Sequence, residues 1–192
     1  MGIVQLGMTM SVDGFIADHS GDVNRLYPDL AELRETELLQ ESIRTTGAVL
    51  MGRHAYDMAQ GDFTGYEFQV PIFVLTYHVP EKAAKGENGQ LLFHFVTDGI
   101  KSALEKARAA AGHKKVVVIG GADTTQQCIR AGLFDEIMVG IVPVLLGEGI
   151  RLFEHLGSQQ IELIKIKVIE SPGRIDILYR LVRDSGGSRE IL

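Results

Sequence analysis

A chain of 192 residues with 45% hydrophobic and 23% charged side chains has an ordinary globular composition. It suits one domain that buries roughly 70% of its unfolded surface. A formal net charge of -6 argues against nucleic acid as a partner, and a single cysteine, Cys128, excludes an internal disulfide.

The opening Met1-Gly2-Ile3-Val4-Gln5 lacks a basic stretch ahead of an apolar run, and no window approaches the roughly 20 apolar residues of a membrane span. A cytoplasmic protein with no membrane partner is therefore expected. Val4 to Met10 reads as a buried strand, followed by a loop through Gly14, Gly21 and Pro28. Asp29 with Glu32 three positions on forms a capping-box-like pair, which predicts one helix running to about Thr45. Ala48 to Met51 is a compact apolar strand ended by Gly52, with a short helix from Arg53. Pro71 to Thr76 and Leu92 to Val96 are further strands, separated by a polar loop over Glu81 to Gly89. Asp98 is placed to cap a helix that Gly112 ends.

Val116-Val117-Val118-Ile119 is the strongest strand signal, and a helix from Ala122 to Ala131 follows it. The pattern then changes. Glu136 to Leu146, Ile161 to Glu170 and Arg174 to Val182 are strands, the last two joined by a tight turn at Ser171-Pro172-Gly173. Ile164, Ile166 and Val168 are expected on one face, and Ile175, Ile177, Tyr179 and Leu181 on another. The reading is β-α-β units first and antiparallel strands last, within one domain over 1–184 and a flexible tail over 185–192.

Three segments carry chemistry. The first is Gly120-Gly121, where a buried strand turns directly into a helix with Thr124 and Thr125 in its first turn. Paired glycines let a ligand approach the backbone, and free N–H groups at a helix start attract anions. A plain strand-helix connection is the alternative, and no G-x-G-x-x-G follows any strand. The second is Met51-Gly52-Arg53-His54-Ala55-Tyr56, with a guanidinium at a second strand-helix corner. Arg suits phosphate, although a solvated surface Arg would read the same in isolation. The third is Ser11-Val12-Asp13-Gly14-Phe15-Ile16-Ala17, where Asp13 either closes a turn or acts catalytically.

Taken in order, these segments resemble the dihydrofolate-reductase-like fold, in the branch of the RibD C-terminal domain. S-V-D-G-F-I-A resembles that family's S-x-D-G-x-I-A loop, M-G-R-H-A-Y its G-R-x-T-Y corner, and V-V-V-I-G-G-A its glycine-pair strand. Phe134-Asp135-Glu136-Ile137, Pro143 to Gly149, and Leu152-Phe153 resemble later signatures, so the likeness extends to about Val182.

The resemblance implies a three-layer α/β/α fold with a mixed, mostly parallel sheet ending in an antiparallel hairpin. It also implies a homodimer that transfers hydride from NADPH to a small heterocyclic substrate, pterin- or pyrimidine-like. A nucleotide-binding protein of the same fold without turnover is the alternative. Gly52 and Arg53 would meet the cofactor phosphates, with Tyr56 on the same helix and Thr76 near the adenosine 2′-phosphate. Gly120, Gly121, Ala122 and Thr124 would hold the pyrophosphate, and Ile16 and Ala17 would flank the nicotinamide. Asp13 is the catalytic candidate. The chain has no Trp where dihydrofolate reductases carry Pro-Trp in the first loop. It also lacks an H-x-E and C-x-x-C set, so no metal is expected. Glu37 and Glu41 share a helical face with Leu30 and Leu33, so either points inward or sits at the edge of a solvated face.

Overall fold

The computed structural model describes residues 2–28, 30–86, 91–158, 160–171 and 173–183. The chain opens with β1 (Val4–Ser11) and β2 (Phe15–Ala17), then α1 (Leu30–Arg34) and α2 (Glu37–Thr45). There follow β3 (Thr46–Gly52), α3 (Arg53–Asp57), β4 (Asp62–Phe63), β5 (Ile72–Leu75), β6 (Lys85–Gly86) and β7 (Phe93–Val96). The second half holds α4 (Ile100–Ala111), β8 (Lys115–Ile119), α5 (Ala122–Arg130), β9 (Glu136–Val142), β10 (Ile150–Arg151), β11 (Leu163–Ser171) and β12 (Arg174–Leu181).

One eight-stranded sheet runs in the order β11-β12-β9-β1-β8-β3-β5-β7. Its strands from β9 to β7 pair in parallel, and β12 pairs antiparallel with both β9 and β11. Strand alternation then sorts side chains onto two faces. Ala48 and Leu50 join Val4, Leu6, Val116 and Val118 on one face, beneath Ala103, Leu104 and Ala107 of α4 and Cys128 and Ile129 of α5. Burial pushes the Cys128 thiol up to about 12, so it packs as a small apolar group. Val49 and Met51 point the other way, against Ile72, Val74, Tyr56, Phe63 and Phe68, with Leu39 and Ile43 of α2 alongside. The result is the expected three-layer α/β/α arrangement. Toward β9 and β12 this second face changes character, for Gln5, Thr9, Glu136, Arg174 and Asp176 are all buried there.

Three local expectations are corrected. The helix predicted up to Thr45 is broken, because the Thr36 hydroxyl accepts the Leu39 N–H at 3.3 Å and starts α2 afresh. Asp98 is not the cap of α4. Gly99 occupies that position with φ 94°, and the Asp98 carboxylate instead accepts from Ser102 and Lys106. The alternation of Ile164, Ile166 and Val168 is interrupted by a bulge between Lys165 and Lys167, which leaves Ile166 and Val168 exposed. Asp29, Gly89, Pro172 and the tail over 185–192 lie outside the described residues.

Candidate functional site

Two strand-helix corners meet at the C-terminal ends of the parallel strands. The Gly52 N–H donates to the Gly120 carbonyl at 2.9 Å, joining the end of β3 to the end of β8. A Cβ at Gly52 would stand 2.4 Å from Thr124 Oγ1, so glycine lets the two corners interlock without displacing that hydroxyl. Gly120 has φ 64°, its N–H lies 3.1 Å from Met8 Sδ, and the Gly120-Gly121 peptide is cis. The first bond within α5 runs from Thr125 N–H to Gly121 carbonyl, which leaves the N–H groups of Ala122, Asp123 and Thr124 ahead of the helical ladder.

These corners wall a cavity of about 820 Å³, a size typical of small-molecule sites. Of the residues expected at the cofactor, Ile16, Ala17, Gly52, Arg53, Thr76, Gly120, Gly121, Ala122 and Thr124 line it. Arg53 Nε donates to both oxygens of Asp57 at 2.8 and 2.9 Å, and Nη1 donates to the His78 carbonyl at 3.0 Å. Thr76 Oγ1 donates to the same carbonyl, tightening the end of β5. His54 and His78 also line the cavity, and the sequence reading had passed over both.

Tyr56 is the exception. Its ring is 4% exposed and stacks at 5.6 Å on Phe63, with edge contacts to Phe93 and Phe95. Its hydroxyl accepts the Ala84 N–H at 2.5 Å, so it pins a loop and forms no part of the cavity wall.

Asp13 also stands outside the cavity walls. Its carboxylate accepts from the Ser11 hydroxyl at 2.6 Å, from Leu146 N–H at 3.2 Å and from Gly147 N–H at 2.8 Å. Those bonds, the Ser11 hydroxyl first, hold its pKa at about 2, against the opposing effect of burial. The geometry is that of a tether between the first loop and the Pro143–Gly149 segment. Arg151 reinforces it from above the Phe15 ring, at 4.3 Å from the centroid.

A second cavity, of about 750 Å³, adjoins the first between α2 and the polar half of the sheet. Gly7, Met8, Tyr27 and Ile119 belong to the walls of both. Leu38, Leu39 and Phe68 line one side, and Gln5, Thr9, Glu136, Arg174 and Asp176 another. Of the two carboxylates considered on α2, Glu41 lines this cavity, whereas Glu37 is exposed and pairs with Arg44 at 2.7 Å. Lys115, whose pKa burial lowers, donates to Gln5 at 3.0 Å, and Gln5 donates to Glu136 at 3.2 Å. Among the described residues no group of His, Cys, Asp and Glu is placed to hold a metal ion, and no helix is long and apolar enough to cross a membrane.

Residues 3–173 match the family model of the RibD C-terminal domain. The chain belongs to that family. The uncharacterized protein YyaP of Bacillus subtilis is 25% identical over 182 residues, covering 91% of this chain and 92% of its own. The crystal structure of a putative riboflavin biosynthesis protein from Shewanella sp. PV-4 superposes with a TM-score of 0.78 at 23% identity, over 94% of this chain and 99% of the other. Dihydrofolate reductase from Enterococcus faecalis, solved with NADP(H), gives a TM-score of 0.61 at 16% identity over 94% of this chain and 96% of the other. The fold of this RibD C-terminal domain is thus a reductase-like one.

Proposed function

We propose that this protein holds NADPH in the cavity at the strand ends and reduces a small polar heterocycle in the adjoining one. The observation that carries the reading is the interlock of Gly52-Arg53 with Gly120-Gly121 and Thr124 around the first cavity. The free N–H groups of Ala122, Asp123 and Thr124, at the positive end of α5, suit phosphate oxygens. Arg53, with Nη2 outside its bonds to Asp57 and His78, adds a permanent cation beside them. Buried Ile16 and Ala17 supply an apolar wall for a flat ring. When bound, the nicotinamide supplies the hydride, and the protein's task is alignment and exclusion of water.

Tyr27 is assigned the proton. It alone among the four residues shared by the cavities carries a dissociable hydrogen, at the place where the two ligands would meet. Asp13 acts as a positioning residue for the first loop. A homodimer and a cytoplasmic location belong to the same proposal, with light scattering of the purified protein as the check on the dimer.

Titrating NADPH while following its fluorescence tests the reading. Saturable binding in the micromolar range is expected, and no binding at high micromolar cofactor overturns it. Consumption of NADPH with pterins or pyrimidines then separates a reductase from a nucleotide-binding protein.

A further inference from the structure

The parallel ladder between β1 and β8 stops short of the turn it leads into. It runs from Val4 opposite Val116 to Gly7 opposite Ile119, and beyond Gly7 strand β1 pairs only with β9. Gly120 is the first residue past that ladder, and it is buried. A buried backbone N–H without an acceptor costs about as much as a lost hydrogen bond. Here a side chain supplies the acceptor, for the Gly120 N–H donates to Met8 Sδ at 3.1 Å. On its other side the Gly120 carbonyl accepts the Gly52 N–H at 2.9 Å. The glycine at φ 64° is therefore held from β1 and from β3 at once.

We infer that Met8 is a positioning residue for the cofactor. Its thioether fixes the Gly120 amide, and so the turn from which the N–H groups of Ala122, Asp123 and Thr124 emerge. This rests on the cofactor reading and adds to it a residue from outside the two glycine corners. Packing does little to locate the turn, since a Cβ at Gly121 would meet nothing within 4 Å. Its place is set by the bonds at Gly120, and a binding constellation needs its donors held within about 0.5 Å. Met8 is half-buried, packs against Ile16, Ala122 and Leu152, and belongs to the walls of both cavities. An unbranched, polarizable thioether suits that place, because it accepts a hydrogen bond and still packs on apolar neighbours. Leucine would keep the packing and lose the acceptor. Glutamine would keep the length and put a carbonyl oxygen where the sulfur stands.

The test compares the full wild-type chain with Met8→Leu and Met8→Gln. Each is titrated with NADPH by fluorescence and with adenosine 2′-monophosphate by NMR, the second probe carrying no pyrophosphate. Met8→Leu is expected to weaken NADPH binding about two- to tenfold, the worth of one hydrogen bond, and to leave the second probe unchanged. Met8→Gln should bind NADPH within about twofold of wild type, because it restores an acceptor. Wild-type NADPH affinity in Met8→Leu overturns the inference. So does equal weakening in the two variants, or equal loss for the two probes, which a general loosening of the fold would produce. Hydrogen exchange of the wild type needs no variant and serves where Met8→Leu fails to fold. The Gly120 amide should be protected although it lies past the ladder, and exchange at the rate of an open loop overturns the inference. Failure of NADPH to bind a wild type whose Gly120 amide is protected overturns the cofactor reading, and this inference with it.

Discussion

Replacing Gly52 by Ala separates the demand of the backbone from the demand of the cradle. Gly52 has φ -80° and ψ 162°, an extended conformation open to any residue. Contact supplies the constraint instead, because the new Cβ would stand 2.4 Å from Thr124 Oγ1, while Gly121 N at 3.5 Å and Thr124 Cβ at 3.6 Å remain at ordinary distances. The hydroxyl must retreat by about 1 Å or leave its rotamer, at a cost of about 0.5–1.5 kcal/mol. Losing a glycine from the unfolded chain returns about 0.4–1 kcal/mol, so the melting temperature should scarcely move. Cofactor affinity should move a great deal. A misplaced Thr124 forfeits a hydrogen bond to a charged group, about 1.5–3 kcal/mol, which weakens NADPH binding roughly 10- to 100-fold.

Fluorescence titration and thermal melting of the same preparation measure both quantities. The contact also makes the effects non-additive, so Gly52→Ala/Thr124→Ala should bind NADPH no worse than Thr124→Ala alone. Wild-type affinity in Gly52→Ala, or strict additivity in the double variant, would refute the reasoning.

Two further predictions concern the first loop. Asp13, at about 2, sits below its ordinary value of 3.8, so its tether stabilises the fold fully above that value and is lost as pH falls from there toward 2. Asp13→Asn should flatten this acid limb and speed hydrogen exchange at the Leu146 and Gly147 amides, and an acid transition identical to wild type would count against the tether. Tyr27→Phe should lower kcat about 10²- to 10⁴-fold on any reducible substrate and leave the NADPH dissociation constant unchanged. A loss confined to KM would remove Tyr27 from the proton's path.

The two strand-helix corners were legible because their signals are local. A β-branched run into Gly120-Gly121 and a strand ending at Gly52-Arg53 need no distant partner to be read, and both corners line one cavity. Tyr56 misled because its chain neighbours form that corner, whereas its ring partners, Phe63, Phe93 and Phe95, come from other elements. Thr36 held a signal that was missed: a hydroxyl three residues before Leu39 is an N-cap pattern, and it breaks the long helix.

The buried charges on β12 were hidden for a deeper reason. Alternation says that Arg174, Asp176 and Leu178 share a face, and a charged face ordinarily means solvent. Nothing within β12 announces that Thr9 and Gly140, from other strands, will receive the guanidinium. Pairing also put the bulge at Ile166 out of reach, since the extra residue exists only relative to the facing strand.

The wall shared by the two cavities has a thermodynamic consequence. Molecules filling both spaces would share the wall of Gly7, Met8, Tyr27 and Ile119. Their affinities are then linked, and whatever factor one ligand adds to the other's binding it receives back in full. If both spaces are filled as proposed, a substitution in one cavity changes affinity in the other without touching its ligand.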